Sequence, residues 1–122
     1  MIIGFGTAGR VAFSAVRAAR QLGLRIGLLR PITLSPFPVK VVEEFLPRIK
    51  SILVVEMNAG QMLEDVRLAV QGRVPVEFYG RLGGVVPFPG EILSEIRRLV
   101  AEPGQKHENP REAWLHRMLE TA

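Results

Sequence analysis

The sequence contains no cysteine. Disulfides, thiolate nucleophiles and thiolate-held iron–sulfur clusters are therefore excluded from this chain, and any such cluster would belong to another one. There is a single aspartate, Asp65, and there are two histidines, His107 and His116. Both histidines fall in a polar tail beyond the last strongly apolar segment, so no Ser–His–Asp constellation can be assembled. Aromatic residues make up only 7% of the chain, and no stretch concentrates the bases behind its net charge of +4. A stacking, basic surface for nucleic acid is thus missing. Apolar runs such as Ile52 to Val55 fall far short of the roughly 20 residues that a membrane-crossing helix requires. The chain opens on Met1-Ile2-Ile3-Gly4 without a charged leader, and cytoplasmic residence is the expectation.

What is present suits one folded domain: 122 residues, 48% hydrophobic and 23% charged. Short aliphatic runs alternate with stretches whose apolar residues recur every three or four positions, which predicts strand and helix in turn, four times over. The first strand is expected over Ile2 to Phe5, with Thr7 as N-cap of a helix that runs to about Leu22 on a stripe of Val11, Ala12, Ala15, Val16, Ala19 and Leu22. Gly23 is placed to end it. Ile26 to Leu29, between Arg25 and Arg30, reads as a strand buried on both faces, and Leu34 to Phe37 as a stiff proline-framed loop. A helix from Val39 to Leu46 would bury Val42, Phe45 and Leu46. Ile52 to Val55 is the expected mid-sheet strand, followed by a helix capped by Asn58 that buries Met62, Leu63, Val66, Ala69 and Val70, leaves Leu68 outside and ends at Gly72. Val76 to Tyr79 is the fourth strand. The last core helix, from about Gly90 to Ala101, would bury Ile92, Leu93, Ile96, Leu99 and Val100.

Pro103-Gly104 then divides a domain of residues 1–102 from a polar tail, 103–122, expected to add little core. Within it, Pro110 to Leu119 could form an amphipathic helix with Trp114, Leu115 and Met118 on one side, docking on the domain or on another chain. The fold class is α/β: a three-layer α/β/α arrangement around an open, mainly parallel sheet of about four strands in the order 2-1-3-4 with right-handed crossovers.

Gly4-Phe5-Gly6-Thr7-Ala8-Gly9 matches a G-x-G-x-x-G between strand and helix, the context of a dinucleotide fingerprint. Such a site also needs an acid at the end of the second strand, where this sequence has Arg30-Pro31. Gly4, Gly6 and Gly9 therefore support two readings, a free-standing dinucleotide-binding domain and a tight turn that needs small residues. His116, with Glu112 and Glu120 four residues away on either side, reads as a solvated, salt-bridged face, and no metal site is assigned. Three clusters follow predicted strands: Thr33 with Pro36 and Phe37, Glu56 to Gln61, and Gly80 to Gly84 with Arg81. In an open parallel sheet these loops gather on one edge, which makes that edge the functional candidate. Glu56 could contact a ligand there or brace loop amides, and Arg81 could be a solvated charge or an anion clamp.

At these residues the sequence resembles a known family, the C-terminal, transketolase-C-like domain of the alpha subunit of 2-oxoacid:ferredoxin oxidoreductases. The matching pieces are Gly4-Phe5-Gly6-Thr7-Ala8, Gly27-Leu28-Leu29-Arg30-Pro31-Ile32-Thr33-Leu34 into Pro36-Phe37-Pro38, Val55-Glu56-Met57-Asn58 with Gly60-Gln61, Gly80-Arg81-Leu82-Gly83-Gly84, and Pro89-Gly90-Glu91-Ile92. The resemblance implies a part of an enzyme that oxidatively decarboxylates a 2-oxoacid with coenzyme A, such as pyruvate or 2-oxoglutarate. It implies thiamine diphosphate, Mg2+ and iron–sulfur clusters on other domains or subunits, with none bound by this chain. Its expected partners are a thiamine-binding beta subunit and the remaining alpha and gamma parts, with ferredoxin reached indirectly, a homodimer as an open alternative, and neither nucleic acid nor membrane. It also implies an antiparallel strand ahead of the parallel ones, for which no segment precedes Met1. No catalytic residue is assigned. Thr33, Pro36, Phe37, Glu56, Met57, Asn58, Gly60, Gln61, Arg81, Gly83 and Gly84 are the expected interface residues.

Overall fold

The computed structural model describes residues 1–31, 37–57, 61–80, 88–102 and 106–121, with Gln61 and residues 119–121 described through their backbone. The elements in chain order are β1 (Ile2–Gly4), α1 (Gly6–Gln21), β2 (Leu28–Leu29), α2 (Val39–Phe45), a 3-10 turn (Leu46–Arg48), β3 (Ile52–Val55), α3 (Gln61–Val70), β4 (Val76–Tyr79), α4 (Pro89–Ala101) and α5 (Pro110–Thr121). The sheet order is β2-β1-β3-β4 and every pairing is parallel, with Ile3 opposite Leu29 and Val54, and Val54 opposite Phe78. The first crossover moves one way along the sheet and the next two the other way. Right-handedness therefore puts α1 on one face and α2 and α3 on the opposite face.

Each element has a local cause. β1 and β3 are wholly buried aliphatic runs in the middle of the sheet. On α1, Ala8, Ala12, Ala15 and Ala19 are buried, and their small size brings the helix close to β1 and to Ile92, Ile96 and Leu99 of α4. Gly23 at φ +84° and Gly72 at φ +72° follow the ends of α1 and α3. Arg73 then reaches back to donate to the Val70 and Ala69 carbonyls, placing a cation at the negative end of α3.

Several expectations are corrected. Thr7 does not cap α1: the helix starts two residues earlier, from Phe5 as N-cap with no side-chain bond, because Gly6 makes the turn at φ +60°. β2 is a two-residue edge strand, and Leu28 and Leu29 are half-buried where a strand covered on both faces would be fully buried. Leu22, Phe45 and Val100 are exposed although their spacing placed them in the core. Conversely the tail does contribute core, since Trp114 is buried against β4. It touches both Phe78 and Tyr79, neighbours whose side chains leave the strand toward opposite faces, so α5 lies along the open edge of β4.

Candidate functional site

Neighbouring connections leave β1 and β3 toward opposite faces, so the crevice of this sheet lies at their carboxyl ends. Glu56 follows β3 there and is 6% exposed. Its Oε1 accepts from the Met62 amide at 2.8 Å and its Oε2 from the Leu63 amide at 3.0 Å. Both amides belong to the first turn of α3, where backbone donors have no intrahelical acceptor, so this carboxylate does the work of an N-cap from a neighbouring strand. Burial pushes its pKa up, and the two amides and Arg111 pull it down without overcoming that effect. Of its two foreseen roles, Glu56 fulfils the bracing one, with helix amides as its donors.

The glycine turn is built for contact between backbones. A Cβ on Gly9 would come within 2.8 Å of the Gly4 carbonyl oxygen and 3.1 Å of Arg30 Nε, and one on Gly4 within 3.0 Å of the Gly9 Cα. Gly4 and Gly9 thus let α1 rest directly on β1, Gly6 supplies the positive φ, and Arg30 lies against the third glycine. This arrangement accounts for all three glycines without a nucleotide, and the dinucleotide reading is not favoured. At the far side of the edge Gly80 packs under Phe78 and the Glu56 carbonyl, where a Cβ would fall within 2.9 and 3.1 Å. Tyr79 donates its hydroxyl to Glu91 at 3.2 Å, which ties β4 to the first turn of α4.

Among the expected interface residues, Phe37 and Met57 are half-buried against the core and Gln61 opens α3. Thr33, Pro36, Asn58, Gly60, Arg81, Gly83 and Gly84 lie outside the described residues. Two residues that were not singled out stand at this edge, Phe5 and Phe88, the N-cap residues of the adjacent helices α1 and α4, 39% and 65% exposed. Also unforeseen are two buried carboxylates elsewhere. Glu77 on β4 meets His107 Nε2 at 2.8 Å, and Glu95 on α4 meets Arg98 at 2.8 Å and Arg117 of α5 at 3.2 Å. A lone Glu inside the apolar run Val76–Tyr79 was the available signal, because a buried carboxylate requires a partner. Among the described residues, no three His, Asp or Glu side chains converge as a metal site.

The model of the family described as pyruvate:ferredoxin oxidoreductase core domain II matches residues 1–92. A ketoisovalerate oxidoreductase subunit, VorB of Methanothermobacter marburgensis, is 41% identical over 102 residues, which are 84% of this chain and 29% of that protein. A 2-oxoglutarate synthase subunit, KorA of the same organism, is 37% identical over 95 residues, 78% of this chain and 25% of that protein. The chain therefore spans less than a third of the length of these curated relatives. Among solved structures, a 2-oxoglutarate:ferredoxin oxidoreductase from Magnetococcus marinus shares the fold, with a TM-score of 0.65 at 22% identity, over 80% of this chain and 17% of that one.

Proposed function

Because this chain belongs to the pyruvate:ferredoxin oxidoreductase core domain II family, a domain of 2-oxoacid:ferredoxin oxidoreductase subunits, we propose that it is a noncatalytic assembly domain of such an enzyme. In this reading the carboxyl edge of the sheet, from Phe5 and Glu56 to Phe88, meets a thiamine-binding chain, and the alpha-type chain carries no reaction of its own. One observation carries it: the carboxylate at the topological switch, Glu56, is committed to two amides of α3 and is not presented as an acid or base. The residues present do not fit a thiolate-held iron–sulfur cluster, for want of cysteine. In the same reading thiamine diphosphate, Mg2+, the clusters and the contact with ferredoxin belong to other domains or subunits of a cytoplasmic complex. The relatives' names cover more than one 2-oxoacid, and the proposal does not choose between them.

The test is purification from the native host followed by gel filtration. A thiamine-binding chain is expected to co-elute, and Phe88→Ser, at an exposed side chain of that edge, is expected to weaken that association. Turnover of a 2-oxoacid by the pure 122-residue chain would refute the proposal.

A further inference from the structure

Leu22, Phe45 and Val100 sit at positions whose spacing calls for burial, yet they are 58%, 37% and 47% exposed. All three lie at the end of the molecule opposite the glycine turn. Phe45 and Val100 line a groove of about 730 Å3 there, and Leu22 precedes Gly23 and Leu24, which line it too. Its apolar wall continues through Ile26, Ile49 and Leu99. Three cationic side chains, Arg25, Arg48 and Lys50, belong to the lining as well, and no carboxylate does. None of the three enters an ion pair among the described residues, and Arg48 lies 5.4 Å over the Phe45 ring. The volume falls within the roughly 300–1,000 Å3 of clefts that hold small molecules, enough to admit a few side chains.

We propose that this groove is a second docking surface, which receives an acidic amphipathic segment of a partner protein. Apolar side chains of that segment displace water from Phe45 and Val100 and supply most of the affinity. Its carboxylates meet Arg25, Arg48 and Lys50, which orient it and speed its approach, the usual contribution of exposed charges. A second copy of this chain is a poor occupant, because its net charge of +4 would face three more cations. The inference builds on the assembly reading but places contact at the amino ends of the strands rather than at the carboxyl edge.

The purified full chain, immobilised, is panned against a random dodecapeptide display library. The enriched peptides are then measured by fluorescence anisotropy against the wild type, the charge reversal R25E/R48E/K50E, V100S, and the carboxyl-edge variant F88S. All five substituted side chains are exposed, so the variants should keep the wild-type circular dichroism spectrum. Peptides that combine Asp or Glu with Leu, Ile or Phe are expected. Their affinity should fall at least about tenfold in the charge reversal and in V100S, decline as salt rises, and stay unchanged in F88S. Absence of enriched peptides, enrichment without acidic residues, or indifference to the charge reversal would each overturn the inference. Loss of co-elution with a thiamine-binding chain would instead count against the assembly reading alone.

Discussion

At Glu56 two opposing effects meet on one side chain. Its burial disfavours the carboxylate and the α3 amides favour it, with the net result a pKa raised above the ordinary 4.5. A folded-state pKa above the unfolded one means that the folded chain binds this proton more tightly. The stability due to it is full below about pH 4.5 and is lost as pH rises through the raised value. Glu56→Gln has no such proton. The stability of the wild type relative to Glu56→Gln should therefore shrink as pH rises from about 4 to 8, as read from urea unfolding midpoints; a difference that grew with pH would contradict it. Glu56→Ala orphans two buried amides and should destabilise the fold by about 1–3 kcal/mol per unsatisfied group. Gly9 is constrained by backbone contact, so Gly9→Ala should cost about 1–3 kcal/mol through overpacking. Gly27, with nothing within 4 Å of an added Cβ, is the control, and Gly27→Ala should change stability by no more than about 0.5 kcal/mol in the same assay.

Elements were legible in the sequence where their apolar pattern was complete in itself. Ile52–Val55 is a continuous apolar run and became the buried strand β3 with the bounds expected, and α3 buries the stripe its spacing gave while leaving Leu68 at 72% exposure. Periodicity says which face of a helix is apolar, but not whether another element arrives to cover that face along its whole length. Leu22 and Val100, near the carboxyl ends of α1 and α4, were therefore placed inside and are outside. α5 shows the converse. Its polar composition hides one decisive residue, Trp114, which is 3% exposed with ring centroids 5.2 Å from Phe78 and 6.2 Å from Tyr79. Trp114→Ala should cost about 3–5 kcal/mol in chemical denaturation and expose the β4 edge to strand pairing. Trp114→Phe keeps an aromatic edge there and removes an indole N–H that has no hydrogen-bond partner among the described residues, so it should cost clearly less. Equal losses from the two substitutions would show that aromatic packing against β4 is not what holds α5.

Across the whole molecule the candidate site was legible as a place before it was legible as a mechanism. The alternation of strands and helices fixed the carboxyl edge and the switch between β1 and β3, and Glu56 was singled out there. Its bond to α3 depends on how far Met62 and Leu63 lie from β3 in space, which spacing along the chain does not give. The same applies to the pairs that fasten the tail, because Glu77 is 30 residues from His107 and Glu95 is 22 from Arg117. Those two pairs and Trp114 bind residues 106–118 to β4 and α4, which makes the expected boundary at Pro103-Gly104 a break in composition that cohesion crosses. Since this is the only tryptophan in the chain, its fluorescence reports on the tail while far-ultraviolet circular dichroism reports on the whole. If both belong to one cooperative unit, the two signals should give superimposable urea transitions with a single midpoint, as two-state unfolding requires. A fluorescence transition at distinctly lower urea would mean that α5 detaches first and that residues 1–102 fold independently of it.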